Sequence, residues 1–260
     1  QVAEVKKVRL ADGRSDGVET YLFKTGSGLD FTVLGSRGLD ISSADWCGRS
    51  LCWKSQAGEA SPHYYDEPGM GGWLRNWYGG LLVTCGLTYA GLPDVDQGIP
   101  LGLHGRVSNT PASNACCDSE WQGDEYVMWV QGKVRESAAY GEDVVLTRRI
   151  STRLGESSIW VDDSVENLGH ESTPHMFLYH INGGFPAVDA GSSMLSPTML
   201  FTPRNEDAEL DRDIYDSFGS PESGFQQRVS YHDMASEADG TVLVALVNRN
   251  IPGGFGFYIR

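Results

Sequence analysis

Histidine is the side chain whose ordinary pKa lets it give and take protons near neutrality, and this sequence carries six: His63, His104, His170, His175, His180 and His232. Two fall in one segment, Pro174-His-Met-Phe-Leu-Tyr-His-Ile-Asn-Gly-Gly-Phe-Pro186. Their spacing of five is odd, so on a regular strand they point to opposite faces and do not share a metal. Leu178, His180 and Asn182 would occupy one face, and His175, Phe177, Tyr179 and Ile181 the other. His180 and Asn182 then stand side by side just before a Gly-Gly break, as on a strand end lining a cleft. A hydrogen-bonded structural histidine is the competing reading.

His104 lies in Leu101-Gly-Leu-His-Gly-Arg-Val-Ser-Asn-Thr-Pro111. Flanking glycines would leave its backbone approachable by a ligand, and Arg106 could share its face. A loop with His, Arg, Ser and Asn offers donors and acceptors suited to a polyhydroxylated ligand; a polar turn has the same composition. The third feature is Gly69-Met-Gly-Gly-Trp-Leu-Arg-Asn-Trp-Tyr-Gly-Gly80, with Trp73, Trp77 and Tyr78 around Arg75. Aromatic faces stack on the C–H face of sugar rings, and a guanidinium fork bonds paired hydroxyls. An aromatic cluster at the edge of a core is the plainer alternative.

Other chemistries lack their residues. The phosphate-binding Gly-x-x-x-x-Gly-Lys-Ser/Thr, His-Glu-x-x-His, Gly-x-Gly-x-x-Gly and the Gly-x-Ser-x-Gly elbow are all absent. The acidic run Glu206, Asp207, Glu209, Asp211 and Asp213 does not have the spacing of a calcium loop. No metal site is expected. Five cysteines, two of them the adjacent Cys116 and Cys117, fit neither a disulfide framework nor a zinc set, and there is no Asn-x-Ser/Thr acceptor. A cytoplasmic setting is the expectation, and Gln1–Lys7 lacks the apolar core of a signal peptide.

The elements that must position these residues are strands. The 32 glycines and 11 prolines among 260 residues punctuate short runs with period-2 alternation. The expected strands cover 19–23, 29–34, 80–85, 125–134, 143–151, 158–165, 176–182, 194–201, 225–231, 241–248 and 255–259. Helical signals are weak; 206–215 could make two turns but is read as an acidic surface loop. The pattern predicts an all-β chain, a large antiparallel β-sandwich in a single domain over residues 1–260. With 20 Lys and Arg against 35 Asp and Glu, the net charge of −15 argues against a nucleic-acid partner. No apolar run approaches the roughly 20 residues that span a bilayer, so no membrane partner is expected.

Leu103-His104-Gly105 and Tyr179-His180-Ile181-Asn182 followed by Gly-Gly-Phe-Pro resemble the two histidine elements of the aldose 1-epimerase, or galactose mutarotase-like, superfamily. Ser36-Arg-Gly-Leu-Asp-Ile41, Trp73–Leu87 and Gly102–Ala112 resemble a branch of it known as an uncharacterised domain. The likeness covers nearly the whole chain. It implies a β-supersandwich with an open carbohydrate cleft, no cofactor, and interconversion of sugar anomers by acid–base ring opening. Carried over by motif, His180 is the general acid, His104 hydrogen-bonds the sugar near the ring oxygen, and Arg75 holds ring hydroxyls, with Asn182 and Arg106 as further binding residues. The superfamily's basic glutamate lies in a C-terminal strand beyond a segment like Gly254–Arg260. The base is then a residue past Arg260, another carboxylate such as Asp189, or none, and the domain lacks its last strand. A carbohydrate-binding protein without turnover, or an isomerase or lyase on a modified sugar, are the alternatives. The expected partner is a small sugar or sugar acid, with Arg37, Arg75 and Arg106 able to favour an anion locally; a homodimer is left open.

Overall fold

In a computed structural model, residues 2–260 are described, and they divide into two compact units, one ending at Asn182 and one covering 183–260. The first holds strands β1 (Glu4–Arg9), β2 (Glu19–Lys24), β3 (Leu29–Leu34), β4 (Asp40–Trp46), β5 (Arg49–Ser50), β6 (Leu82–Cys85), β7 (Asp94–Asp96), β8 (Ile99–Leu101), β9 (Ser113–Gln122), β10 (Glu125–Ser137), β11 (Asp143–Arg153), β12 (Trp160–Asn167) and β13 (Leu178–Ile181), with one short helix, α1 (Gly71–Asn76). The second holds β14 (Ser193–Leu195), β15 (Thr198–Pro203), α2 (Glu206–Glu209), β16 (Ser230–Met234), β17 (Val244–Asn248) and β18 (Phe255–Ile259). Among the described residues no helix is long and apolar enough to cross a membrane.

Every strand pair is antiparallel. The first unit builds a seven-stranded sheet in the order β1-β2-β3-β4-β6-β13, with β5 on β4, and a four-stranded sheet in the order β12-β11-β10-β9. The long hairpins explain the second sheet. Gln122 pairs with Glu125 across a two-residue Gly123-Asp124 loop in which Gly123 takes φ 64°, the positive φ that primed hairpin turns require. Along β10 the buried Met128, Val130 and Val134 alternate with more exposed neighbours, the pattern of a sheet with one inner face. In the second unit β14, β17 and β18 form a three-stranded sheet and β15 pairs with β16.

The two large sheets of the first unit, which also has the two-stranded β7-β8 ribbon, are joined through a buried ion cluster. Arg148 on β11 is fully buried; its Nη1 donates to Asp40 on β4 at 2.9 Å, to Thr84 Oγ1 on β6 at 2.8 Å and to the Gly38 carbonyl at 3.1 Å. Its Nε and Nη2 grip both oxygens of Asp163 on β12 at 2.8 Å. Thr84 also donates to Asp40 from its hydroxyl (2.6 Å) and backbone N–H (3.0 Å). A neighbouring apolar cluster of Leu87, Val107, Val134, Val144 and Leu146, with Phe177 and Val165 packed on it, continues the interior. On the opposite face of β6, Val83 and Cys85 pack with Val18, Leu34, Trp73, Tyr78 and Leu103. The seven-stranded sheet is therefore buried on both faces around β6, as the burial of all four β6 residues requires.

Most expected strands are present within two or three residues of their predicted ends. The 194–201 stretch is split into β14 and β15, and 225–231 starts later, at Ser230. Six strands (β1, β4, β5, β7, β8 and β9) and α1 were not expected. Glu206–Glu209 is one helical turn capped by Asn205 Oδ1, which accepts from the Ala208 N–H at 3.0 Å. Removing Arg148 leaves the Asp40 and Asp163 carboxylates buried without a counter-charge, which costs about 3–5 kcal/mol. Arg148→Ala is therefore expected to lower unfolding free energy by that amount in a denaturant titration.

Candidate functional site

β13 is four residues long, and its register on β6 sets the site. His180 lies opposite Val83 and Tyr179 opposite Thr84. Directly opposed residues share a face, so Tyr179 turns to the Arg148 cluster, where its hydroxyl donates to Asp163 Oδ2 at 2.8 Å. His180 turns to the other side, among the tryptophans. His175 follows Tyr179: its Nδ1 bonds the Leu87 carbonyl at 3.1 Å, and Phe177 lies between it and Tyr179. His175 lies before β13, and its contact with the Leu87 carbonyl keeps it away from His180.

The tryptophans come from α1 and its exit. Gly72, the second residue of the helix, lets the chain pass close to Asp66: a Cβ there would stand 1.3 Å from the Asp66 carbonyl oxygen, so any other residue would force the backbone to shift. Trp73 is buried and its Nε1 donates to Ser108 Oγ at 3.2 Å. Trp77 leaves the helix in extended conformation. The last helical carbonyls, which have no partner inside a helix, are taken by guanidinium groups: Arg75 O accepts from Arg14 Nη1 (3.0 Å) and Asn76 O from Arg37 Nη2 (2.9 Å). Arg37 is buried with no carboxylate on it, and also donates to Ser108 O (2.6 Å) and Ala60 O (2.7 Å). It thereby holds the end of α1 against the loop that follows His104.

His104 sits in the left-handed region, φ 58°, followed by Gly105 at φ 73°. Its backbone is not open to a ligand, contrary to the expectation from its glycines. The N–H donates to Gly91 O at 2.8 Å and the carbonyl accepts from Gly86 N–H at 3.1 Å. Gly102 and Gly105 serve close packing instead: a Cβ would meet Glu67 O at 2.5 Å or Gly86 O and Tyr89 O at 2.3 Å. What His104 offers is its ring.

The two imidazoles meet at 5.7 Å between ring centres, nearly perpendicular at 78°. His104 is edge-on to Trp73 at 4.9 Å, and His180 lies 5.6 Å from Trp77 and 6.4 Å from Trp73. Trp73 and Trp77 stack at 5.3 Å, and Trp53 extends the wall from Trp77 at 4.9 Å toward solvent, 40% exposed. Desolvation first, then the neighbouring His180, push the His104 pKa down to about 4. Burial also lowers His180, opposed by the Asn182 side chain, which favours its protonated form. His104 Nδ1 and Trp77 Nε1 are buried polar atoms without a hydrogen-bond partner in the protein. Two neutral imidazoles and an indole N–H on an aromatic wall suit a ligand with hydroxyls on one side and C–H bonds on the other.

The remaining predicted residues are placed differently. Asn182 is buried and donates its amide to Gly80 O (3.0 Å) and His180 O (3.1 Å), fixing the end of β13. Arg106 is held by Glu67 at 2.6 Å and reaches Glu136 and Glu142 at 3.4 Å, so three carboxylates offset its charge. Arg75 is exposed, and at 3.6 residues per turn it projects about 200° round the helix from Trp73. Asp189 lies in the second unit, where its Oδ1 accepts from the Ala190 N–H in a turn closed by Ser192. Sequence reasoning missed Trp53, the clamping role of Arg37 and the carboxylates around Arg106. Among the described residues no three His, Cys, Asp or Glu side chains converge as a metal set.

Residues 15–260 match the model of one protein family, described as a domain of unknown function, DUF4432. The chain belongs to the DUF4432 family. Its structure is similar to the crystal structure of a candidate aldose 1-epimerase from Klebsiella pneumoniae subsp. pneumoniae MGH 78578, with a TM-score of 0.89 and 23% identity, covering 95% of this chain and 64% of that one. It is also similar to galactose 1-epimerase from Lactobacillus acidophilus NCFM, with a TM-score of 0.54 and 14% identity over 79% of this chain and 60% of that one. The DUF4432 chain thus spans under two thirds of both proteins. No curated protein sequence matches it. At these identities the likeness establishes the fold, the aldose-epimerase type of β-sandwich.

Both histidine pKa values lie below the ordinary 6.5, so the unfolded chain takes up protons first and stability is lost as pH falls from about 6.5 toward 4. His104→Asn keeps a residue type tolerant of left-handed backbone and should flatten that slope in thermal melts between pH 7 and 4.

Proposed function

We propose that this protein interconverts the α and β anomers of a free sugar. The observation that carries the reading is the His104–His180 pair set against Trp73 and Trp77. In the reaction His180 delivers a proton to the ring oxygen as the bond from that oxygen to C1 breaks. A base takes the anomeric hydroxyl proton, and the open aldehyde rotates about C1–C2 before the ring closes from the other side. His104 hydrogen-bonds the sugar near the ring oxygen and the tryptophan wall supports the C–H face. Asn182 acts on His180 through the bonds that fix its strand, and Arg75, on the other side of α1 from Trp73, takes no part in holding the ring. With Arg37 and Arg106 occupied within the protein, the site favours an uncharged sugar over a sugar acid.

A lowered pKa makes the imidazolium a strong but sparsely populated acid. If its protonated form does the work, turnover rises as pH drops below 7 toward the His180 pKa, and levels off beneath it. Anomer exchange of D-galactose and D-glucose, followed by NMR magnetisation transfer, checks this directly. His180→Ala is expected to slow exchange by about 10²–10⁴-fold, the range for a general acid. His180→Ala turnover equal to wild type would overturn the assignment. Sugar signals that broaden without faster exchange would support a binding protein in place of an enzyme.

A further inference from the structure

The second unit contains a cavity of about 310 Å³ lined by Phe201, Asp211, Tyr215, Arg228, Ser230 and His232, at the small end of the range that takes an organic ligand. Three rings stand around it: Phe201 and Tyr215 are 4.8 Å apart, and His232 lies 5.3 Å from Phe201 and 5.2 Å from Tyr215. All three are only half-buried. The pairing of β15 and β16 brings Phe201 opposite His232.

The polar groups here are held but not used up. Arg228 lies on the Phe225 ring at 4.6 Å and pairs through Nη1 with Asp211. Its Nε is buried and has no hydrogen-bond partner. Leaving such a donor unmade costs free energy, and an acceptor brought into the cavity would relieve it. His232 is oriented by Thr198 Oγ1 on its Nδ1 at 3.1 Å, and Thr198 in turn by Ser196 at 2.7 Å. That leaves Nε2 for a ligand. Burial lowers the His232 pKa, so the ring is neutral at pH 7.

Charge narrows the ligand class. Asp211 offsets Arg228, Glu209 offsets Arg212, and Glu206, Asp207, Asp213 and Asp216 add further negative charge to the same stretch of chain. Arg212, over the Phe201 ring at 5.5 Å, and Arg204 offset part of this, and the balance that is left is negative and disfavours an anion. A ligand with hydroxyl acceptors, no charge and a C–H face to set on aromatic rings meets no such repulsion.

We propose that the second unit carries a binding site of its own for a neutral sugar or polyol, formed by Phe201, Tyr215, Arg228 and His232. This does not rest on the epimerase reading, and one experiment separates the two. All seven tryptophans and both histidines of the first site lie within residues 1–182. With ¹³C-labelled histidine, each imidazole is a separate NMR reporter on the full chain.

Titration with D-galactose is expected to shift the His232 signal saturably, both in wild type and in His180→Ala. Arg228→Met should weaken that response at least tenfold. Phe201→Leu, which keeps an apolar side chain of similar bulk and removes the ring face, should weaken it several-fold. D-Galacturonate should shift His232 at least tenfold less effectively than galactose. A His232 signal unmoved by galactose, or moved equally in Arg228→Met and Phe201→Leu, overturns the proposal. A stronger response to galacturonate overturns the neutral-ligand assignment. Movement of His104 and His180 alone would sink this site while sparing the other.

Discussion

Arg148 is the group on which the first unit turns. A fully buried guanidinium must have its donors met inside the protein, and here they reach β4, β6, β12 and the Gly38 turn at once. Two sheets that could slide as apolar surfaces are thereby fixed in one alignment: Asp163, the cross-strand neighbour of Arg148 in its own sheet, holds one edge of the guanidinium, and only one alignment brings Asp40, Thr84 and the Gly38 carbonyl of the other sheet to Nη1. Burying such a cluster is weak evidence for net stability, since desolvation offsets much of the attraction. Its value lies in uniqueness of position.

Position is what the histidine pair needs. Tyr179 is tethered to Asp163, so the adjacent His180 is committed to the far face of the strand. Asp40 belongs to the same turn as Arg37, and Arg37 draws the end of α1 and the chain after His104 onto three backbone carbonyl bonds. Trp73 then bonds Ser108 in that chain. Two buried arginines meet at one turn, Arg37 as a member of it and Arg148 through its bonds to Gly38 and Asp40, and together they aim the strand that bears one imidazole and the loop that bears the other.

The sequence made the strands of strong alternation and the chemistry of the site visible, because residue type is local information. His104, His180, Trp73 and Trp77 were singled out by type; His175 and His180 are apart as expected, but because His175 lies before the strand and bonds Leu87 O, not because one strand turns them to opposite faces. Strand β9 was missed because Ser113–Gln122 alternates between exposed and half-exposed residues, with little apolar contrast. Helix α1 was missed because six residues beginning Gly-Gly have poor helix propensity; packing against Asp66 and the two capping arginines make it. The arginines were the least legible. Arg37 bonds partners 23 to 71 positions away, and Arg106 is met by carboxylates 30 to 39 away. Nothing in the local sequence distinguishes a guanidinium free for a ligand from one already spent.

The shortness of β13 sets limits on how this family can vary. Its four residues are pinned at one end by Tyr179 and at the other by Asn182, whose amide holds Gly80 and whose carbonyl accepts from Trp53 N–H at 2.9 Å. Substitution at the exposed Leu178 leaves those anchors untouched. Inserting or deleting one residue between Tyr179 and Asn182 would instead drive an imidazole into the arginine cluster and carry a phenol to the tryptophans. Length drift among relatives should therefore gather in the loops around this strand and spare the strand itself.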